Sequence, residues 1–192
     1  MTTAMLLSLL VALPAQSDDP EPPTRKGFVT RLVAKKSTYK LDFGGKKKLE
    51  YVKGAKQGSE ESPKVQLELV ITNYTKETVR IRSAGSNTRL TLTLEGDGAI
   101  STSVTTEAVR VKIGYTILQP KEKMTIPIDR LASVERVLKG EVAEKRHYWT
   151  EPGDYKVKAS FSANITTDFN GVNPFSRFQT FDSQAVTLKV EK

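Results

Sequence analysis

Apolar and polar residues alternate with a period of two along most of this chain, the signature of half-buried strands. Tyr39, Leu41 and Phe43 alternate up to Gly44-Gly45, and Leu49 and Tyr51 follow a run of lysines, a pattern that predicts a hairpin. Val65, Leu67, Leu69 and Ile71 mark a strand with one buried face, broken at Asn73-Tyr74-Thr75, after which Val79 and Ile81 start the next. Leu90, Leu92 and Leu94 form another, closed by Gly96-Asp97-Gly98. Val109, Val111 and Ile113 are a further candidate, and so are Met124, Ile126 and Ile128, where Pro127 on the opposite face suits a sheet edge. Tyr155, Val157, Ala159 and Phe161 follow the turn at Pro152-Gly153, and Val186, Leu188 and Val190 come last.

Roughly seven to nine short strands separated by turn signals predict an all-β chain folded as an antiparallel sandwich. One segment reads as helical. Leu131, Val134, Val137 and Leu138 recur at helical spacing, so a short helical connection is expected near 131–145, interrupted at Gly140. Two connections are long. Lys53 to Pro63 is polar, and Asn164 to Ser183 carries Phe169, Phe175, Phe178 and Phe181 beside Asn170, Gly171, Asn173, Pro174 and Arg177. Long connections in compact domains are often functional or disordered, and the four phenylalanines of the second argue against simple disorder.

The N-terminus changes the picture. Met5 to Ala15 is apolar and then gives way to Gln16-Ser17-Asp18-Asp19. The run is too short to span a bilayer and fits the core of a signal peptide, read here as residues 1–17 with cleavage after Ser17; Ala15 is the alternative. Residues 18–26, with Asp18-Asp19-Pro20-Glu21-Pro22-Pro23, read as a linker, and 27–192 as the domain. No later segment is apolar enough to span a membrane, so no transmembrane span is expected after cleavage. The localisation expected is secreted or periplasmic. Of 192 residues 38% are hydrophobic and 27% charged, which is compatible with a soluble globular domain. There is no cysteine, so disulfides, thiolate metal sites and cysteine nucleophiles are excluded.

The formal net charge is +8. Lys35, Lys36, Lys40, Lys46, Lys47, Lys48, Lys53 and Lys56 crowd one stretch, which favours an anionic envelope or polysaccharide partner or simply makes a solvated face. No nucleic-acid motif accompanies them, so nucleic acid is not an expected partner. Candidate chemistry is sparse. His147 is the single histidine, without the companions of a zinc site or the elbow of a serine hydrolase. Asp154, Asp168 and Asp182 could converge on calcium, yet no calcium-loop spacing links them. Asn73 and Asn164 each head an Asn-x-Thr acceptor pattern. No cofactor is implied. Trp149, with Tyr148 and the late phenylalanines, either forms an exposed platform or caps the open end of the sandwich. Phe175 and Phe178, flanking Arg177, are the best candidates for exposure.

Leu67-x-Leu69-x-Ile71-x-Asn73, Val79-x-Ile81, the Pro120-Lys-Glu-Lys-Met124 turn and Pro152-Gly-Asp-Tyr155-x-Val157 together resemble bacterial immunoglobulin-like domains. Among these they are similar to the BsuPI-type intracellular proteinase-inhibitor domains. The resemblance covers about residues 64–163 and implies an immunoglobulin-like sandwich, with no inhibitory residue carried over. The expected function is a secreted or periplasmic, non-catalytic binding or structural module that recognises a protein or envelope component through its loops. The binding candidates are Phe175, Arg177, Phe178, Trp149, Lys46, Lys47 and Lys48. A protease inhibitor is the alternative, and a small polysaccharide hydrolase a third reading.

Overall fold

The structure, a computed structural model, describes residues 27–85, 88–107, 114–138, 141–167 and 177–192. The segments expected to be a signal peptide and linker, the strand expected at Val109–Ile113, and Asp168, Phe169 and Phe175 fall outside the described residues. Three sheets and one helix make up the rest.

The first sheet is antiparallel, in the order β1 (Phe28–Ala34), β3 (Lys64–Asn73), β8 (Lys123–Arg130). Its middle strand buries Val65, Leu67, Leu69 and Ile71, the alternation the sequence predicts. Pro127 sits opposite Glu68 on β8, an edge strand, where its missing N–H costs no ladder bond. The break after β3 is made by Asn73, which is fully buried. Its amide donates to the carbonyls of Glu77 (2.9 Å) and Leu118 (3.1 Å), and its oxygen accepts from Thr75 N–H (2.9 Å) and hydroxyl (2.7 Å). An amide so committed is a structural turn residue and no glycan acceptor.

The second sheet is organised by the long strand β11 (Gly153–Thr166). One edge pairs with β13 (Val186–Glu191) and then β12 (Arg177–Asp182). The other pairs with β5 (Arg89–Glu95) and then β4 (Val79–Ala84), which carries β7 (Gly114–Leu118). Ser183 covers the join of β12 and β13: its N–H donates to Ala159 O (2.9 Å) and its hydroxyl accepts from Ala159 N (3.0 Å). Beyond β13 lies β2 (Thr38–Lys40), a parallel pair in an otherwise antiparallel sheet. Tyr155, Val157, Ala159, Phe161 and Ala163 turn inward from β11 and meet Leu67, Leu69 and Ile71 in one core. The chain is therefore an all-β sandwich.

The third sheet has the order β6 (Ala99–Glu107), β10 (Glu141–Trp149), β9 (Ala132–Leu138). It replaces the short helical connection expected near 131–145. The spacing of Leu131, Val134, Val137 and Leu138 is helical, but the β-branched Val134 and Val137 also suit a strand, and full-length pairing of β10 with β6 overrides the spacing.

The one helix among the described residues is α1 (Lys48–Gln57), where a hairpin strand and a polar loop were expected. Tyr51 and Ala55, one turn apart, bury together against Tyr148, with Phe43 and Ile100 around them, while Leu49 is left 82% exposed. That helical pairing outweighs the short Leu49/Tyr51 alternation. The helix ends in a Schellman turn: Gly58 at φ 75° donates to Ala55 O and Ser59 N–H to Gly54 O.

Candidate functional site

The candidate residues separate into two places. Arg177 and Phe178 open β12 and are exposed, Phe178 at 61%, opposite Ile165 and Asn164. Trp149 instead packs against Tyr155, near the start of β11, with ring centroids 5.9 Å apart. From Tyr155 to Asn164 is about 30 Å at a strand's rise of roughly 3.3 Å per residue. No single surface therefore joins Trp149 to the late phenylalanines. Trp149 is 3% exposed and part of the main core, so it caps the sandwich and forms no open platform. Phe181 is also core, edge-on to Phe28 at 5.2 Å.

The lysines are partly spoken for. Lys46 Nζ lies 2.5 Å from Glu60 Oε1, and Lys48 is paired with Glu151. Lys47 is exposed at the N-cap of α1. Asp154 and Asp182 do not converge, since they face Lys189 and Ser160 at separate points of the β11 ladder. No group of three or more metal-ligating side chains occurs among the described residues. His147 is buried, with Nδ1 2.8 Å from the hydroxyl of Ser101, its neighbour across the β6–β10 ladder.

What the fold does assemble is a cleft of about 530 Å³ between β2, the following turn, α1 and the segment leading into β3. Tyr39, Phe43, Tyr51 and Trp149 supply its rings, and Asp42, Glu60, Glu61, Lys40 and Lys64 its charges. Each wall is fixed from behind. Adjacent residues of β10 face opposite ways, so Tyr148 packs edge-on to Tyr51 at 6.2 Å while Trp149 lies 5.4 Å from Tyr39. Tyr148 donates its hydroxyl to Glu60 O (2.8 Å), and Arg146 reaches the carbonyls of Gly58 (3.1 Å) and Glu60 (3.2 Å), pinning the 58–60 segment. Phe43 and Tyr51 rings lie 5.0 Å apart, below a turn in which Asp42 accepts from Gly44 N–H at 2.7 Å. Behind Trp149, the Tyr155 hydroxyl lies 2.6 Å from Asp97 O and 2.8 Å from Glu151 O, tying two turns to the core.

Two polar atoms in the cleft are uncommitted. Among the described residues neither the Tyr51 hydroxyl nor the Trp149 indole N–H has a hydrogen-bond partner, and neither atom is fully enclosed. The Tyr39 hydroxyl, by contrast, donates to Lys36 O and accepts from Gln66 N–H, both at 2.9 Å. Burial pushes the Tyr51 phenol up to about 12, and Tyr148, Glu60 and Asp42 add to the effect. Glu61 is held below the usual carboxylate range by its hydrogen bond from Arg130 at 2.7 Å.

Of the sequence candidates only Trp149 lines this cleft, with Lys46 paired to its Glu60, and sequence reasoning passed over Phe43, Tyr51 and Glu60. The available signal was local: three aromatic residues, Tyr39, Phe43 and Tyr51, within one lysine-rich stretch. Reading them as hairpin residues hid it.

No protein-family model matches the chain, and no curated protein matches it. Among solved structures, the chain is similar to the CooA pilin subunit from enterotoxigenic Escherichia coli, at 12% identity over 85% of this chain and 99% of that one. The TM-score is 0.22, a likeness too slight to bear on fold or function.

Proposed function

We propose that this chain is an exported, non-catalytic binding module: a signal peptide over residues 1–17, a linker over 18–26 and an immunoglobulin-like sandwich that recognises a protein or envelope component. The apolar Met5–Ala15 run and the acidic, proline-rich stretch behind it support export. No helix among the described residues is long and apolar enough to cross a membrane. The observation that carries the binding reading is the cleft itself. It has the size of a ligand seat, aromatic walls, and two hydrogen-bonding atoms that the protein leaves unused. Hydrolysis finds less support there, because Glu60 and Glu61 are each paired to a base, Lys46 and Arg130.

Capture experiments test this. The full chain, exported from its host and immobilised, retains an envelope component, and Phe43→Ala lowers the amount retained at least about tenfold, the loss of one well-placed ring in a small site. Equal retention by wild type and variant sinks the reading. N-terminal sequencing of the exported protein checks the leader: an intact Met1 defeats it.

A further inference from the structure

Resting on that reading of the cleft, we infer that its ligand is a neutral saccharide, one or two pyranose units of an envelope glycan. Three features of the site point this way.

The first is the pairing of ring surface with ring-edge donors. Tyr51 and Trp149 are 6% and 3% exposed, so their rings are fixed. Both residues line the cleft, and the Tyr51 hydroxyl and Trp149 indole N–H have no hydrogen-bond partner among the described residues. A buried phenol or indole ordinarily finds a partner. Here both atoms keep access to solvent, so a ligand oxygen can take the place of water on each. Phe43, half-buried at the lip, adds a hydrocarbon face on which the C–H face of a pyranose can rest.

The second is the acceptor set. Asp42, Glu60 and Glu61 line the same space. Each carboxylate has more lone-pair sites than its one observed partner fills, namely Gly44 N–H, Lys46 and Arg130. A ligand that meets donors and carboxylates around an apolar wall must itself be rich in hydroxyls and have a C–H face.

The third is charge. Of the three carboxylates lining the cleft, Glu60 and Glu61 are each paired, with Lys46 and Arg130, and Asp42 shares the space with Lys40 and Lys64. These charges nearly cancel, so an ionised sugar would gain little here in exchange for its water, and a neutral one fits better.

The single tryptophan of the chain gives the test its readout, because it sits in the cleft. The full chain is titrated with cellotetraose, maltotetraose, chitotetraose, mannotetraose and tetragalacturonate, at low and high salt, following tryptophan emission. A neutral tetrasaccharide is expected to bind with a Kd of about 0.1–1 mM, unmoved by salt. Tyr51→Phe, which keeps the ring and the fold, weakens it about three- to tenfold, and Phe43→Ala by about tenfold or more. Near-unchanged circular dichroism and melting of the Tyr51→Phe protein separate lost contact from lost fold. No response to any neutral tetrasaccharide at about 10 mM overturns the inference. So does tighter, salt-sensitive binding of tetragalacturonate, or equal affinity in Tyr51→Phe. The envelope capture separates this failure from that of the underlying reading. Retention that Phe43→Ala abolishes, but that survives periodate oxidation of the envelope fraction and is removed by trypsin, leaves a binding cleft without a saccharide. Retention that ignores Phe43→Ala removes both.

Discussion

Lys46 Nζ lies 2.5 Å from the carboxylate of Glu60, bridging the turn before α1 to the segment after it. Glu60 is only 14% exposed at its side chain and Lys46 48%, so the pair sits at a rim, half out of water. Its Coulomb energy is modest there and screened by salt, but it ties Glu60, a residue of the cleft wall, to the turn before α1. Lys46→Ala is expected to cost about 0.5–1 kcal/mol in urea unfolding, with the difference from wild type shrinking in high salt. A salt-independent loss would mean that the lysine stem, and not the ion pair, supplies the stability.

Tyr51 supplies a prediction about alkaline pH. Its phenol is pushed up to about 12 in the folded protein, against an ordinary value of 10.0 in the unfolded chain. Burial raises Tyr148 and Tyr155 in the same sense. The unfolded chain therefore releases these protons first. Stability is untouched by them below pH 10 or so and falls as pH rises from there towards 12. Absorbance titration of the six tyrosines should resolve a late group, and Tyr51→Phe should remove part of it and flatten the loss of stability. All tyrosines titrating together near 10 would contradict this account.

Phe178 and Phe181 lie on one strand, three residues apart, with opposite fates. Phe178 is 61% exposed and Phe181 2%, edge-on to Phe28. Phe181→Ala should cost about 3–5 kcal/mol, while Phe178→Ala should stay within about 0.5 kcal/mol. Chemical denaturation measures both. A large loss at Phe178 would show that its ring is covered in solution.

Strands whose partners lie on both sides were the legible part of this chain. Val65 to Ile71 and Tyr155 to Phe161 alternate cleanly because one face of each is core and the other is not. Legibility failed where tertiary pairing decides. Val134 and Val137 are three apart, a helical spacing, and only pairing with β10 beside them makes the segment a strand. Tyr51 fits a strand after Leu49 or a helix with Ala55, and only the buried surface of Tyr148 selects the helix. The cleft inherits that second ambiguity, since it exists only once α1 does. Its carboxylates carry no sequence signal, as Glu60 and Glu61 read like any polar loop.

Gln179 gives the sharpest stability test. It points inward on β12 opposite Ala163, is 5% exposed, and both of its amide atoms are enclosed with no hydrogen-bond partner among the described residues. A buried amide that has given up water without replacement destabilises the fold by about 1–3 kcal/mol. Leucine has nearly the same reach and no polar atom to satisfy. Gln179→Leu is therefore expected to raise stability by about 1 kcal/mol or more, read as a higher urea midpoint at unchanged slope. Gln179→Glu places a charge in the same spot and should lower the midpoint at neutral pH, recovering as the carboxyl is protonated in acid. If leucine destabilises instead, the amide is satisfied in solution, and the 177–182 strand owes its position to that bond.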